Sequence, residues 1–168
     1  MRRIILLGAP GSGKSTQGQK LAEFLGCAWI STGELFRKSE DPRVKEQLKT
    51  EKLIDDETTF ALLANELSGV QDAIIDGFPR TKRQAEMALS LDVSEVIEID
   101  ISDEEVYSRL ALRGREQDTP EVIAKRLADY RAMRQEVDGV LVAAGVKIKK
   151  VDGLGTVDEV FNRVKEVL

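Results

Sequence analysis

The sequence contains no histidine and a single cysteine, Cys27, in 168 residues. Without imidazole, no Ser-His-Asp or Cys-His mechanism can operate, and no Cys/His zinc site can form. One cysteine makes no internal disulfide, which fits a reducing compartment. Long apolar runs are missing as well. No window approaches the roughly 18 apolar residues of a membrane span. The N-terminus pairs two arginines with a short apolar stretch that ends in Gly8-Ala9-Pro10-Gly11. A secretory signal needs a longer apolar stretch and a small-residue cleavage site, so a cytoplasmic protein is expected. Positive charge is in deficit too: 25 Lys+Arg stand against 30 Asp+Glu, a net charge of −5. That balance argues against a non-specific nucleic-acid binder, and no membrane partner is expected. Local phosphate binding is still open to it, if a few cations converge.

What remains suits one globular domain. At 42% hydrophobic and 33% charged, the chain should bury about 70% of its unfolded surface and needs no staples. Arg3–Leu7, Cys27–Ile30, Ala73–Ile75, Val93–Ile101 and Val146–Val151 read as strands. Helices are predicted from Lys14 to Phe24, ended by Gly26; through much of 34–67, interrupted at Pro42; over Thr81–Leu91; over Asp103–Leu112, capped by Ser102; from Pro120 to Ala144, ended by Gly145; and over Thr156–Leu168. Ser31, followed three residues later by Glu34, has the spacing of a capping box. Strands alternating with helices predict an α/β fold with a five-stranded parallel sheet and helices on both faces. Residues 31–68 and 113–119 interrupt the alternation. Trp29 and Cys27 read as packing residues.

Gly8-Ala9-Pro10-Gly11-Ser12-Gly13-Lys14-Ser15 matches the phosphate-loop pattern G-x-x-x-x-G-K-[ST]. It follows a strand and opens a helix, as the pattern requires. Glycines let backbone N–H groups converge on phosphate oxygens, and the helix behind adds its positive end. Gly11, Ser12 and Gly13 line the loop, and Lys14 supplies a point charge. Ser15 or Thr16 could approach Mg²⁺ or a phosphate oxygen. The plain alternative is a glycine-rich strand–helix turn. By itself the motif specifies nucleotide phosphate binding and nothing finer.

GAPGSGKSTQ at the N-terminus, STGELFR at 31–37 and DGFPRT at 76–81 resemble adenylate kinase. Arg113-Gly114-Arg115, Asp118-Thr119, Arg126-Leu127, Tyr130 and Val151-Asp152-Gly153 extend the resemblance over nearly the whole chain, in the manner of short-lid bacterial members. The resemblance implies a P-loop NTPase core (1–30, 69–112 and 120–168), a helical monophosphate-binding arm (31–68) and a minimal lid (113–119). The implied reaction is reversible phosphoryl transfer from Mg-ATP to AMP, giving two ADP, by a monomer. Carried over by position, Lys14 holds the outer ATP phosphates, and Arg109 stacks on the ATP adenine near Gly153. Arg37 and Arg80 clamp the AMP phosphate. Thr32 and Gln84 meet the AMP base, and Lys52, Ile54 and Gly77 belong to the same site. Arg113, Arg115 and Arg126 close around the transferred group. Asp76 would hold Mg²⁺ through water, with Glu34 nearby and Asp118 as the lid acid. The plain alternatives are dipole-complementing charges for Arg109 and Arg113, and a solvated helix face for Arg126, Tyr130, Arg131 and Arg134, with Asp129 and Glu136 as partners.

The sequence also departs from the family pattern. Ser15 stands where the family usually has Gly, and Gln117 where short lids often have a second acid. No cysteine cluster staples the lid. The arm after Arg37 is shorter by more than one helical turn, and Glu51 replaces a common helix-ending Gly before Lys52. Two other readings stay open: a UMP/CMP-type kinase, or a nucleotide-binding module without turnover. Members of the first tend to carry Ala at the position of Thr32 and Asn at that of Thr81. The second would be expected to lose Lys14 or the phosphate-facing arginines.

Overall fold

Strand β1 (Arg3–Gly8) is the centre of the molecule, because Ile4, Ile5, Leu6 and Leu7 are buried on both faces of a sheet. The computed structural model describes residues 1–50, 53–113 (Arg113 as backbone) and 119–168. The phosphate loop and α1 (Lys14–Leu25) follow, then β2 (Ala28–Ser31). An excursion of three helices comes next: α2 (Thr32–Lys38), α3 (Pro42–Leu48) and α4 (Asp56–Glu66). The chain returns through β3 (Ala73–Asp76), α5 (Lys82–Ala88) and β4 (Val93–Asp100). It ends with α6 (Asp103–Arg113), α7 (Pro120–Ala143), β5 (Ile148–Asp152) and α8 (Val157–Glu166).

The five strands form one parallel sheet in the order β2-β3-β1-β4-β5. Crossovers run outward to both sides of β1, so the carboxyl end of β1 is a topological switch point, the usual place for a ligand in such a sheet. Two cores flank the sheet. Ile4, Leu6, Ile97 and Ile99 pack with Leu21 of α1 and Val160 and Val164 of α8. On the other face, Ile5, Leu7, Ile75 and Val96 pack with Leu63 of α4, Ala85 of α5, and Val137 and Leu141 of α7. A third cluster of Ala9, Val106, Leu110, Ile123 and Leu127 supports the phosphate loop from α6 and α7. Trp29 and Cys27 pack, half-buried, against the first core.

Most helix ends follow the sequence. Gly26 closes α1 at φ 64°, the Thr119 hydroxyl caps α7 ahead of Pro120, and Thr156 with Glu159 forms a full capping box on α8. The predicted box at Ser31 does not form. Ser31 makes no side-chain cap bond, and the Glu34 carboxylate pairs instead with Lys38, one turn on, at 3.0 Å. Spacing i,i+4 offers Glu34 a competing partner on its own helix. Pro42 does not merely interrupt a helix: it opens α3, with Asp41 accepting from the Arg43 amide at 2.8 Å. The solvated face read for α7 is also corrected. Arg134 is 8% exposed and pairs with Glu98 of β4 at 3.0 Å and with Asp138. No helix among the described residues is long and apolar enough to cross a membrane.

Candidate active site

The phosphate loop wraps over the switch point. Gly11 and Gly13 sit at φ 83° and 87°, a region that residues with a Cβ rarely adopt. A Cβ on Gly11 would also lie 3.1 Å from Leu110 Cγ. The Ser12 amide donates to the Ala9 carbonyl at 3.1 Å, closing the loop. Helix α1 has no capping side chain and no acid in its first turn. Its first amides and its positive end are therefore presented to an anion. Lys14 Nζ reaches back to the Ala9 carbonyl at 3.4 Å, so its charge lies over the loop. Ser15 and Thr16 are exposed beside it.

Asp76 ends β3 beside this loop and is 1% exposed. One carboxylate oxygen accepts from the Ser15 hydroxyl at 2.6 Å; the other, Oδ1, is buried without a hydrogen-bond partner. A buried carboxylate oxygen left unpaired beside a hydroxyl and a phosphate loop suits a hydrated divalent cation. Among the described residues no group of three or more His, Cys, Asp or Glu could hold a metal alone.

The strand then turns sharply at Gly77, φ 82°. A Cβ there would meet Thr32 Oγ1 at 2.7 Å, so only glycine permits this contact. The buried Thr32 hydroxyl donates to the Gly77 carbonyl at 3.0 Å and approaches the Asp76 carbonyl at 3.4 Å. Arg80 Nε donates to the same Gly77 carbonyl at 2.9 Å. Partial desolvation in the cleft pulls the Arg80 pKa below the ordinary value, and the Asp76 carboxylate opposes this. Solvent still reaches the side chain, so the guanidinium stays charged. Gln84 is 2% exposed; its carbonyl oxygen accepts from the Arg80 amide at 2.8 Å and its NH₂ donates to Asp56 at 2.9 Å. Arg37 is exposed at the end of α2, with its guanidinium against Gly33. Ile54 is buried, and its carbonyl receives a long contact from Thr59 at 3.4 Å.

On the other side of the loop, Arg109 spans three elements. It donates to Glu105 at 2.6 Å, to the Ser12 carbonyl at 3.3 Å and to the Gly153 carbonyl at 2.9 Å. This arginine thereby ties α6 to the phosphate loop and to the turn after β5. Arg126 lies half-buried on α7. Arg113 ends α6, and its side chain lies outside the described residues, as do Arg115, Gln117, Asp118, Glu51 and Lys52.

Lys14 and Arg109 thus stand at the phosphate loop and Arg80 at the turn after β3, with the Asp76 carboxylate at the end of that strand. The sequence profile of the family described as adenylate kinase matches residues 6–141. The chain belongs to the adenylate kinase family. Adenylate kinase from Mycobacterium marinum is 39% identical over 181 aligned residues, covering 99% of this chain and 98% of the relative. Adenylate kinase from Mycolicibacterium paratuberculosis is 40% identical, covering 96% of each chain. Adenylate kinase from Mycobacterium leprae is 37% identical, covering 99% and 98%. The five-stranded parallel core is that of the P-loop adenylate kinase fold.

Sequence reading missed two residues that hold candidate site side chains in place. Glu105 orients Arg109, and its i,i+4 spacing would have shown it. Asp56 meets Gln84 from 28 residues away. No local pattern announces that contact.

Proposed function

We propose that the chain is an ATP:AMP phosphotransferase converting Mg-ATP and AMP reversibly into two ADP. One observation carries this reading: Asp76 touches both half-sites. Its carboxylate accepts from Ser15 on the phosphate loop, while its backbone carbonyl is approached by Thr32 across the cleft. A donor nucleotide on the loop and an acceptor over the Thr32–Gly77–Arg80 turn would meet around that residue.

Phosphoryl transfer asks the protein for in-line placement and for neutralisation of charge on the migrating group. Lys14 and the loop amides, including those of Gly11, Ser12 and Gly13, hold the outer phosphates of ATP. Arg37 and Arg80 hold the AMP phosphate, bringing two polyanions together. Thr32, Gly77, Gln84 and the segment around Lys52 and Ile54 receive the AMP base. Arg109, beside Gly153, receives the ATP adenine. Arg113, Arg115 and Arg126 converge on the transferred group as the lid of 113–119 closes, with Asp118 pairing to lid arginines. The arm of 31–68 closes from the other side against the core of 1–30, 69–112 and 120–168. Ser15 would hold Mg²⁺ directly and Asp76 through water; the ion supplies positive charge to the phosphate oxygens when bound. An enzyme of this kind, working as a cytoplasmic monomer on free nucleotides, needs neither nucleic acid nor membrane.

A coupled assay with Mg-ATP and a panel of monophosphates tests the proposal. AMP should be the preferred acceptor by a wide margin. Preference for CMP or UMP would assign the chain to that other branch. ATP binding without turnover on any acceptor would make it a binding module.

A further inference from the structure

We infer that Asp56 is a positioning residue that fixes the polarity of Gln84 and thereby selects a 6-amino purine over a 6-oxo purine in the monophosphate site. The inference rests on the proposal that Gln84 meets the base. A glutamine amide has a donor end and an acceptor end of nearly equal size, and an unrestrained one rotates to suit either ligand. Gln84 is held at both ends. The Arg80 backbone N–H is a donor only, so the Gln84 atom 2.8 Å from it must be the carbonyl oxygen. The Asp56 carboxylate is an acceptor only, so the Gln84 atom 2.9 Å from it must be the NH₂ group. Asp56 is itself secured by the Thr81 hydroxyl at 2.9 Å, and Thr81 Oγ1 accepts from the Gln84 amide at 3.1 Å. These four residues close a ring of directed bonds from α4 to the start of α5.

The ring leaves Gln84 one unused N–H and one unused carbonyl lone pair, in a fixed order. Adenine offers a 6-amino donor beside the N1 acceptor, which such a pair can engage together. Hypoxanthine and guanine present the opposite order, a 6-oxo acceptor beside an N1–H donor. Reading them would require Gln84 to turn over, which would set its carbonyl oxygen against the Asp56 carboxylate and its NH₂ against the Arg80 N–H. A base with the wrong polarity therefore meets two mismatched contacts, and two-point readout of this type discriminates by about tenfold to a hundredfold.

The test compares kcat/KM for AMP and for IMP in the parent chain, Gln84→Ala, Asp56→Ala and Asp56→Asn, with far-UV circular dichroism on each. Gln84→Ala should collapse the AMP:IMP ratio. Asp56→Ala should lower the ratio by about tenfold, and the change should fall on KM for AMP more than on kcat. Asp56→Asn puts beside Gln84 an amide that can turn either its carbonyl or its NH₂ toward it, so the polarity is no longer fixed and the ratio should fall about as far as in Asp56→Ala. Should Asp56→Ala fail to fold, Asp56→Ser replaces it, keeping a polar residue at the first turn of α4 but too short to reach Gln84. An unchanged ratio in Asp56→Ala or Asp56→Ser, with collapse in Gln84→Ala, overturns the positioning role and leaves the base contact standing. An unchanged ratio in Gln84→Ala overturns the base contact and the inference with it. A ratio retained in Asp56→Asn also overturns it, since an amide that offers either polarity would then serve as well as an acceptor-only carboxylate.

Discussion

Replacing Arg134 by Met should cost about 3 kcal/mol of stability, although the methionine is shorter only by its charged head. Glu98 projects from β4 toward α7, and both side chains of the pair are 9% exposed. Glu98 Oε1 accepts from Arg134 Nε at 3.0 Å and from the Tyr130 hydroxyl at 3.4 Å. Burial, reinforced by the Glu98 charge, raises the Tyr130 pKa well above its usual value, so the phenol stays protonated and keeps donating. Without Arg134, the buried carboxylate retains that one long hydrogen bond and Lys150 at 3.7 Å. Removing one partner of a buried pair costs about 3–5 kcal/mol, and Lys150, largely exposed and able to swing inward, places this case at the lower end. Replacing Glu98 by Met should cost a similar amount, because the guanidinium keeps Asp138 as its only partner of opposite charge among the described residues. The double replacement leaves neither charge unpaired and should fall within about 1 kcal/mol of the parent. Urea unfolding followed by the single tryptophan, Trp29, measures all four proteins. With a slope of about 1–3 kcal/mol per molar urea, the single variants should lose about 1–3 M in midpoint. Additive losses in the double variant, or a loss under 1 kcal/mol (~0.5 M) in Arg134→Met, would refute the reasoning.

Three further outcomes follow. Lys14→Ala should lower turnover by about 10²–10³, because the outer phosphates lose their point charge; near-normal turnover would remove Lys14 from its role. Arg80→Ala should raise KM for AMP by about tenfold or more while binding of ATP alone, measured by calorimetry, stays unchanged; equal loss of ATP binding would contradict the assignment. Glu95 links β4 to Arg2 at 2.8 Å and to Lys149 at 2.6 Å. Burial acts to raise its pKa, but hydrogen bonds from Lys149 and Arg2 prevail and hold it below 4.5. The stability it contributes is therefore complete above about pH 4.5 and is lost as the pH falls through the folded-state value. Glu95→Gln should be less stable than the parent by about 1 kcal/mol at pH 7, with the gap closing toward pH 3 in urea titrations; a gap independent of pH would rule out an ionic origin.

The core of the fold was legible because its signals are local. Apolar runs bounded by Gly8, Asp76 and Gly145 mark buried strands, and Gly26, Pro120 and Thr156 mark helix ends by backbone chemistry that needs no tertiary context. The phosphate loop was legible for the same reason: glycine spacing, a lysine and the start of a helix lie within eight residues. The arm was less legible. Ser31 and Glu34 fit a capping box, yet Lys38 outcompeted the cap. The solvated face read for α7 missed that Arg134 turns inward, because its partner Glu98 lies 36 residues earlier and was read only as part of a strand. Asp56 was invisible for a related reason: its role exists only once α4 is laid beside α5. Long-range polar pairs of this kind follow from packing, and a single sequence carries no local trace of them.

The central claim, reversible transfer between two nucleotides around Asp76, is tested most directly by incubating the protein with Mg-ADP alone and following the mixture by phosphorus NMR. ATP and AMP should appear together in equal amounts, with no inorganic phosphate, and Lys14→Ala should slow their appearance by about 10²–10³. Unchanged ADP, or AMP accompanied by inorganic phosphate without ATP, would contradict it.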